Sequence, residues 1–389
     1  MDSFEDITDF INSELRFQKE AGLLRSLLPV EGLQGGVIKT KGKPLIDFSS
    51  NDYLGMAGHP ALIDGAKRAM EKWGAGARAS RLMSGDMEIH HCLESAIAVL
   101  KGKEAALLFG SGYLANIGII PALCGRNDVI YSDRLNHASI VDGILLSKAR
   151  FFRFRHNDLN HLEELLKSHR SRYRRALIVI ESLYSMNGDL APVPELLELK
   201  GRYGTILMID EAHATGVFGP KGEGIIDRTE AGAVDVIMGT FGKALGGYGA
   251  FVAMSNQVKR FLLNRARTFM FSTALPPAVI GANLAAVKLL EEEPERRERV
   301  CELATKLRKT LKEDMGINTT SESQIVPIIV GESIDALKLA ERLLDAGLFV
   351  RAIRPPTVPE GTARIRLSLT ANHSLEDVSQ LLEALSSGI

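Results

Sequence analysis

Short apolar segments alternate with helical stretches over residues 60 to 255 of the chain. Each apolar segment has the length of a strand and contains few polar residues, which is typical of strands buried on both faces of a sheet. The segments are Ala105–Phe109, Val129–Ser132, Leu177–Glu181, Ile206–Asp210, Val234–Gly239 and Gly249–Met254, and Asn160–His169 is an example of the helices between them. The alternation predicts an α/β layer with a mostly parallel sheet.

Different patterns flank this region. Residues 1–45 begin with an amphipathic helical pattern, in which Phe4, Ile7 and Phe10 recur at helical spacing, and continue to a turn-rich segment at 31–36. After a charged helix, strands near 325–330 and 363–369 flank a helix at 333–347. We therefore predict an N-terminal arm (1–45), a large domain (46–285) and a small α+β C-terminal domain (286–389).

Composition narrows the possible partners and location. The 47 Lys and Arg residues nearly balance the 48 Asp and Glu residues, so no basic surplus is available for nucleic acid. The longest apolar runs have strand length and the chain starts with acidic residues, so we predict no membrane span and no signal peptide. Three distant cysteines without a CxxC pair predict a reducing cytoplasm and no metal site.

Polar residues follow two of the predicted strands. Asp210 and His213 end and follow one strand, while Thr240 and Lys243 follow the next strand along the chain. In open α/β sheets, ligands bind just beyond the carboxyl ends of the strands, so these four side chains are expected to meet in one crevice.

A pyridoxal cofactor needs residue types of this kind. It requires a lysine that binds its aldehyde and an acid opposite its ring nitrogen, because the protonated ring withdraws electrons from the substrate. Lys243 and Asp210 are the candidates for these two roles. We expect His213 near the ring oxygen and the Thr240 hydroxyl near the phosphate.

The phosphate also needs backbone N–H groups at a helix N-terminus. Residues 107–115 supply a strand, a glycine turn and a helix start in that order, which predicts that Ser111, Gly112 and Tyr113 form the phosphate cradle. The same segment matches the relaxed dinucleotide fingerprint G-x-G-x-x-A, with Asp133 at the distance of a ribose-binding acid. A nicotinamide enzyme is therefore an alternative, although it leaves the residues around Lys243 without a role.

Further polar residues follow other strand ends. His137 lies just beyond the strand at 129–132, where its imidazole can stack on a cofactor ring, and Glu181 and Ser185 lie at and beyond the end of the strand at 177–181. A single histidine is more often structural. His137 is assigned a functional role because it lies just beyond a strand end, as the other polar residues do.

Several motifs together resemble one enzyme family over nearly the whole chain. They are Asn51-Asp52-Tyr53-Leu54-Gly55, Asp133-Arg134-Leu135-Asn136-His137-Ala138-Ser139, Ser185-Met186-Asn187-Gly188-Asp189-Leu190-Ala191-Pro192, Asp210-Glu211-Ala212-His213 and Thr240-Phe241-Gly242-Lys243. With these motifs the chain resembles the α-oxoamine synthases, fold-type I pyridoxal 5'-phosphate enzymes that condense amino acids with acyl thioesters. The resemblance implies a large domain with a mostly parallel seven-stranded sheet, a smaller α+β domain and pyridoxal 5'-phosphate as cofactor.

The resemblance also implies roles for individual residues. Lys243 would bind the cofactor covalently, Asp210 would pair with the ring nitrogen, and His137 would stack on the ring. The other residues expected at the cofactor are Ser111, Gly112, Tyr113, Glu181, Ser185, His213 and Thr240, and the residues expected at the substrates are Arg25, Asn51, His137, Thr357 and Arg366. Sites of this family form between two copies of the chain, so Ser272 and Thr273 are expected to reach the phosphate of the partner subunit in a homodimer.

Residues 352–359 and 361–366 favour one branch of the family. They resemble the enzymes that condense L-alanine with a pimeloyl thioester, carried by coenzyme A or by an acyl carrier protein, in biotin biosynthesis. The alternative within the family is condensation of glycine with acetyl-CoA, and synthesis of 5-aminolevulinate or 3-ketosphinganine is more distant. A catalytically silent partner subunit is an alternative of another class, and the intact Lys243 and Asp210 argue against it.

Overall fold

The computed structural model of the chain describes residues 6–386. Phe4 of the predicted helical pattern therefore lies outside the described residues. The contacts divide the chain into two compact units. One unit contains the described residues up to Ser50, residues 186–188 and the residues from Glu302 onward, and the other contains Asn51–Ser185 and Asp189–Cys301. The domain boundaries predicted at 45/46 and 285/286 stay predictions.

The secondary structure covers both units. The strands are β1 Gly32–Gln34, β2 Val37–Thr40, β3 Lys43–Asp47, β4 Ala105–Phe109, β5 Val129–Asp133, β6 Arg150–Phe154, β7 Ala176–Glu181, β8 Ile206–Asp210, β9 Val236–Thr240, β10 Ala250–Met254, β11 Ile325–Gly331, β12 Leu348–Phe349, β13 Ala352–Ile353 and β14 Ala363–Ser368. The helices are α1 Ile7–Glu20, α2 Pro60–Trp73, α3 Glu88–Leu100, α4 Gly112–Leu123, α5 Ala138–Ser147, α6 Leu159–His169, α7 Val193–Tyr203, α8 Asn256–Leu263, α9 Arg267–Met270, α10 Pro277–Glu292, α11 Glu295–Glu313, α12 Ser333–Asp345 and α13 Leu375–Ser386.

The unit that contains Lys243 is built on a seven-stranded sheet with the order β4-β10-β9-β8-β7-β5-β6. Neighbouring strands are parallel except at β10, which runs antiparallel to both β4 and β9. The predicted fold class, an α/β fold with a mostly parallel sheet, is confirmed. Because β5, β7, β8 and β9 are parallel, their carboxyl ends lie at one edge of the sheet, where a ligand is expected.

Burial explains why these segments form central strands. Every residue of β4, β5, β7 and β10 is buried, because helices cover the sheet. On one side, Leu107, Ile130 and Val252 pack in a core with Ile119 of α4 and Ile144 of α5. Strand β6 was not predicted, since its sequence Arg-Phe-Phe-Arg-Phe is only partly buried at the edge of the sheet.

The other unit contains two small sheets, β1-β2-β3-β12 and β11-β14-β13. The residue ranges of strands β11 and β14 and of helix α12 agree to within two residues with the segments predicted for the α+β domain. Helix α1 begins after Asp6, whose side chain accepts a hydrogen bond from Thr8 N, and none of its side chains is buried. Among residues 6–386, no helix is both long enough and apolar enough to cross a membrane.

Candidate active site

The carboxyl edge of the sheet brings together the polar side chains that follow its strands. Glu181 at the end of β7 is the direct neighbour of Asp210 at the end of β8, and Asp210 is in turn paired with Met238 of β9. Strand β9 ends at Thr240, and Lys243 lies three residues further on. The convergence expected from the sequence is therefore observed within one unit of the structure.

Lys243 is the first member of a hydrogen-bonded chain of side chains. Its Nζ lies 2.7 Å from Nε2 of His213, and Nδ1 of His213 lies 2.7 Å from the hydroxyl of Tyr53. Tyr53 donates onward to Oδ1 of Asn51 at 3.1 Å. In this arrangement the Tyr53 oxygen accepts from Nδ1–H of His213, so Nε2 is left to accept a hydrogen bond from the Lys243 amine.

Asp210 is held by a second set of hydrogen bonds. Its Oδ1 accepts from Ala212 N at 2.9 Å, and its Oδ2 accepts from Nδ2 of Asn116 at 3.0 Å. Asn116 also donates to Oγ of Ser139 at 2.9 Å, and that hydroxyl lies 2.8 Å from Nδ1 of His137. One buried asparagine therefore joins the carboxylate expected at the ring nitrogen to the histidine expected on the ring face.

Neither Asn116 nor Tyr53 was assigned a role from the sequence, although Tyr53 stood in a family motif. Asn116 lies in α4, whose sequence is otherwise almost entirely apolar, and it is 1% exposed. A buried amide needs hydrogen-bond partners, so an asparagine in an apolar helix was a signal that sequence reasoning could have used. No comparable signal links Tyr53 to His213, which is 160 residues away along the chain.

His137 caps helix α5 and presents an exposed ring. Its Nδ1 accepts from Ser139 N at 3.2 Å, and its backbone N–H donates to Oε1 of Glu181 at 2.6 Å. Burial of part of the ring lowers the pKa of the imidazole, and the positive charge of Lys243 lowers it further. Together these two effects outweigh the charge of Asp210, which favours the protonated form. A neutral, open ring face is suited to stacking on a flat cofactor.

Glu181 is a buried carboxyl group beside a second carboxylate. Burial, together with the charge of Asp210, raises the pKa of Glu181 to about 8, although Lys243 and the backbone N–H groups of His137 and Ser185 act in the other direction. At neutral pH Glu181 therefore carries a proton for most of the time. The ends of β7 and β8 then hold one full negative charge rather than two.

Anion-binding groups stand at the start of α4. Ser111 is the N-cap, and its Oγ accepts from Leu114 N at 3.1 Å, while Gly112 is the first residue of the helix. Thr240 Oγ1 donates to Gly249 O at 2.8 Å and accepts from Gly242 N at 3.2 Å. Tyr113 is exposed, and its hydroxyl donates to Asp142. The free N–H groups and dipole of this helix end favour an anion such as a phosphate.

Other predicted residues lie outside this hydrogen-bonded set. Thr273 forms an isolated β-bridge with Ser80, and within the described part of the chain no hydrogen bond joins it or Ser272 to the groups above. Arg25, Thr357 and Arg366 belong to the other unit. There, exposed Arg25 donates to Pro355 O at 3.1 Å, Thr357 is exposed, and buried Arg366 donates to Ser368 Oγ at 2.8 Å. Their roles at the substrates stay predictions.

The groups present fit pyridoxal 5'-phosphate. Lys243 supplies an amine for the aldehyde, Asp210 supplies a buried carboxylate for the ring nitrogen, and the start of α4 supplies backbone N–H donors for the phosphate. Residues 6–386 contain no cluster of three or more His, Cys, Asp or Glu side chains that could hold a metal ion.

Comparisons with known proteins agree with this geometry. The sequence profile of the class I and II aminotransferase family matches residues 43–385. The 8-amino-7-oxononanoate synthase of Geobacter sulfurreducens is 51% identical over 97% of this chain and 97% of its own length, and that of Geotalea daltonii is 48% identical over 96% and 95%.

Solved structures give the same picture. A serine palmitoyltransferase of S. paucimobilis with bound PLP has a TM-score of 0.92 at 31% identity and covers 98% of both chains. The 8-amino-7-oxononanoate synthase of Francisella tularensis has a TM-score of 0.76 at 28% identity and covers 88% of this chain and 97% of that one. The predicted resemblance and cofactor are confirmed, and the dinucleotide and glycine-using alternatives are not favoured. The chain therefore belongs to the class I and II aminotransferase family and, within it, to the 8-amino-7-oxononanoate synthases.

Proposed function

We propose that this chain condenses L-alanine with a pimeloyl thioester to form 8-amino-7-oxononanoate in biotin biosynthesis. The new carbon–carbon bond joins the α-carbon of alanine to the acyl carbon, the thiol of the carrier leaves, and the carboxyl group of alanine leaves as carbon dioxide. The observation that carries the proposal is the Lys243 amine, 2.7 Å from His213 at the sheet edge beside Asp210, in a chain about half identical to full-length synthases of this name.

The residues of the chain divide the work of the reaction. When bound, pyridoxal 5'-phosphate withdraws electron density from the α-carbon of the amino acid. Lys243 would hold the cofactor through its amine, and the same amine, when free and neutral, would remove the α-proton of the substrate. The Asp210 carboxylate would hold a proton on the ring nitrogen, and the neutral Glu181 would leave that interaction undisturbed. His213 accepts a hydrogen bond from the Lys243 amine and so orients it.

Turnover with matched substrate pairs tests the proposal. The purified protein is loaded with cofactor and supplied with alanine or glycine against pimeloyl-, acetyl- and succinyl-thioesters, with coenzyme A and an acyl carrier protein as alternative pimeloyl carriers. We expect free thiol and 8-amino-7-oxononanoate, identified by mass, from alanine with a pimeloyl thioester. Faster turnover of glycine with acetyl-CoA overturns the choice of substrates, and no turnover of any pair overturns the assignment as an active enzyme.

We also propose that the chain works as a cytoplasmic homodimer with sites completed by the partner copy. Apolar side chains stand exposed beside the Ser80–Thr273 bridge: Leu82 is 50%, Met83 79% and Phe271 68% exposed. Exposed apolar side chains that lie near one another are a feature of interaction surfaces. A second copy covering them would bring Ser272 and Thr273 to the neighbouring site. The exposed thiol of Cys92 is free, as expected in a reducing compartment.

Complementation between two variants tests the shared site, in assays at a cofactor concentration that loads the wild type but not the variant with altered phosphate contacts. Lys243→Ala removes the amine from its own site, and a Ser272→Ala/Thr273→Val variant lacks the hydroxyls proposed to act in the partner's site. Refolding the two together at equal amounts should restore about a quarter of wild-type activity, because half of the dimers carry one complete site. Activity no higher than that of the separate variants contradicts the shared site. Sedimentation of the wild-type protein gives the oligomeric state independently.

A further inference from the structure

His156 lies between two carboxylates in the unit that contains the candidate site. Its Nδ1 is 3.0 Å from Oδ1 of Asp133, and its Nε2 is 2.6 Å from Oδ2 of Asp189. A carboxylate accepts hydrogen bonds and donates none, so each ring nitrogen has to carry a hydrogen. The geometry therefore describes an imidazolium ion with two charge-assisted hydrogen bonds.

Both carboxylates depend on this cation, although to different degrees. The Asp133 oxygens also accept from Leu135 N at 2.8 Å and from Asn157 N at 2.9 Å. The second oxygen of Asp189 is buried and has no hydrogen-bond donor among residues 6–386. His156 is thus the group that compensates the charge of Asp189.

The surroundings of His156 favour its protonated form. Burial alone would lower the pKa of the imidazole, but the hydrogen bonds and charges of Asp133 and Asp189 outweigh it and raise the pKa to about 9. The third titratable group against the ring is Tyr184, which meets it edge-on with a centroid separation of 4.4 Å. The imidazolium therefore persists through the neutral pH range.

The two carboxylates belong to segments that carry expected cofactor contacts. Asp133 ends β5, and its backbone and side chain accept from Asn136 N and Leu135 N in the turn that presents His137. Asp189 O accepts from Tyr184 N at 3.1 Å, next to Ser185. The segment between β6 and α6, which contains His156, also donates from Asn157 Nδ2 to Leu190 O at 2.9 Å.

We propose that His156 is a positioning residue for the reaction: as an imidazolium it ties the turn that carries His137 to the segment that carries Ser185. Loss of its proton at alkaline pH leaves one nitrogen without a hydrogen, so one of the two ties is broken. The ring face and the ring-oxygen contact of the cofactor then lose their fixed spacing. This inference rests on the proposed function, because it assigns His137 and Ser185 to the cofactor.

The conservative variant Asp189→Asn tests the proposal in the cofactor-loaded enzyme. It keeps the size of the side chain and removes one of the two charges that hold the His156 proton. The protein is labelled with ¹⁵N in its histidine rings, and the His156 signals are assigned by their absence in His156→Gln. In the wild type, both ring nitrogens should carry hydrogen at pH 7.5, with a titration midpoint near 9. In Asp189→Asn the midpoint should fall by about one pH unit or more.

The functional arm of the test asks whether activity follows that titration. In Asp189→Asn, the midpoint of the alkaline decrease in kcat should fall to lower pH by the same amount as the NMR midpoint. The pH midpoint of the cofactor absorbance, measured without substrate, should fall by that amount too. His169→Asn is the matched control. The His169 ring stacks on Phe152 with a centroid separation of 4.2 Å, away from the Asp133 and Asp189 carboxylates that hold His156, so its substitution should leave both midpoints unchanged.

Three outcomes decide the proposal. A His156 ring with a single hydrogen at pH 7.5 overturns the imidazolium. An NMR midpoint that moves in Asp189→Asn while the kcat limb and the cofactor absorbance stay in place shows a structural residue only, which overturns the positioning role. A wild-type enzyme without turnover of alanine and pimeloyl thioester contradicts the proposed function instead, and the NMR and absorbance arms still decide the role of His156.

Discussion

The part of the site expected to hold the cofactor ring, which we call the ring end, contains Asp210, Glu181, His213 and Lys243. All except Lys243 are buried, and each is engaged in the interactions described above. The part expected to hold the phosphate, the phosphate end, contains Ser111, Gly112, Tyr113 and Thr240. These residues are half-buried or exposed, and their side chains bond mainly to the nearby backbone.

This difference separates two tasks. At the ring end, the positions of the reacting groups are fixed before any ligand arrives, which lowers the reorganisation needed during the reaction. At the phosphate end, backbone N–H groups remain available for an anion, which gives affinity but little control of the chemistry. Changes to Asp210, His213 or Lys243 at the ring end should therefore lower kcat with cofactor still bound, and changes at the phosphate end should weaken cofactor binding with little change in kcat.

Lys243→Ala should have the largest effect. Losing both the covalent attachment and the base should lower turnover by about 10³-fold or more. The cofactor should no longer be fixed to the protein by borohydride, as judged by intact mass. Lys67→Ala, which removes an exposed lysine of α2, is the control and should retain full activity. More than a tenth of wild-type activity in Lys243→Ala contradicts the assigned role.

Asp210→Asn should lower kcat by about 10²-fold, because the ring nitrogen loses its ionised partner. Cofactor content should stay close to that of the wild type, since the phosphate end is intact. The control is Asp235→Asn at the opposite end of β9, where Asp235 accepts from Leu207 N at 2.8 Å. Equal losses of cofactor affinity and kcat in Asp210→Asn would break the division between the two ends.

Ser111→Ala tests the phosphate end against an equivalent helix cap elsewhere. Ser255 caps α8 as Ser111 caps α4, accepting from Val258 N at 3.3 Å. Each alanine variant should lose about 1 kcal/mol of unfolding free energy. Only Ser111→Ala should also weaken cofactor binding, by about fivefold, or about 1 kcal/mol. Unchanged cofactor affinity in Ser111→Ala would remove this hydroxyl from the phosphate cradle.

Glu181→Gln should have the smallest effect on rate and a distinct effect on stability. The raised pKa of Glu181 means that the folded protein holds a proton that the unfolded chain releases above its ordinary pKa of 4.5. This contribution to the unfolding free energy is complete below pH 4.5 and is lost as pH rises to about 8. Urea unfolding of Glu181→Gln should therefore show a flatter pH dependence between these values, and exposed Glu198→Gln should match the wild type. If the unfolding free energy of Glu181→Gln depends on pH as steeply as that of the wild type, the buried, protonated state of Glu181 is contradicted.

Sequence patterns predicted the sheet edge well because the signal is local. Six of the seven strands of the large sheet were predicted nearly to the residue, and the polar residues at the ends of β7, β8 and β9 follow from those strands. Edge strand β6 was missed because arginines interrupt its apolar pattern. The links of Asn116 to Asp210 and of Tyr53 to His213 depend on packing between distant segments, which no local pattern records.

The nine residues between β9 and β10 reverse the chain direction and carry Lys243. A side chain at Gly246, which has a positive φ, would overlap the backbone of Met56 and Ala57, and one at Gly247 would overlap Asn283. The side chain of Asn283 also binds the backbone of Tyr248: its Oδ1 accepts from Tyr248 N at 3.4 Å, and its Nδ2 donates to Tyr248 O at 2.9 Å. For directed evolution toward new acyl donors, this reversal is a region to leave unrandomised. Variants there would be lost through misfolding before altered selectivity could be scored.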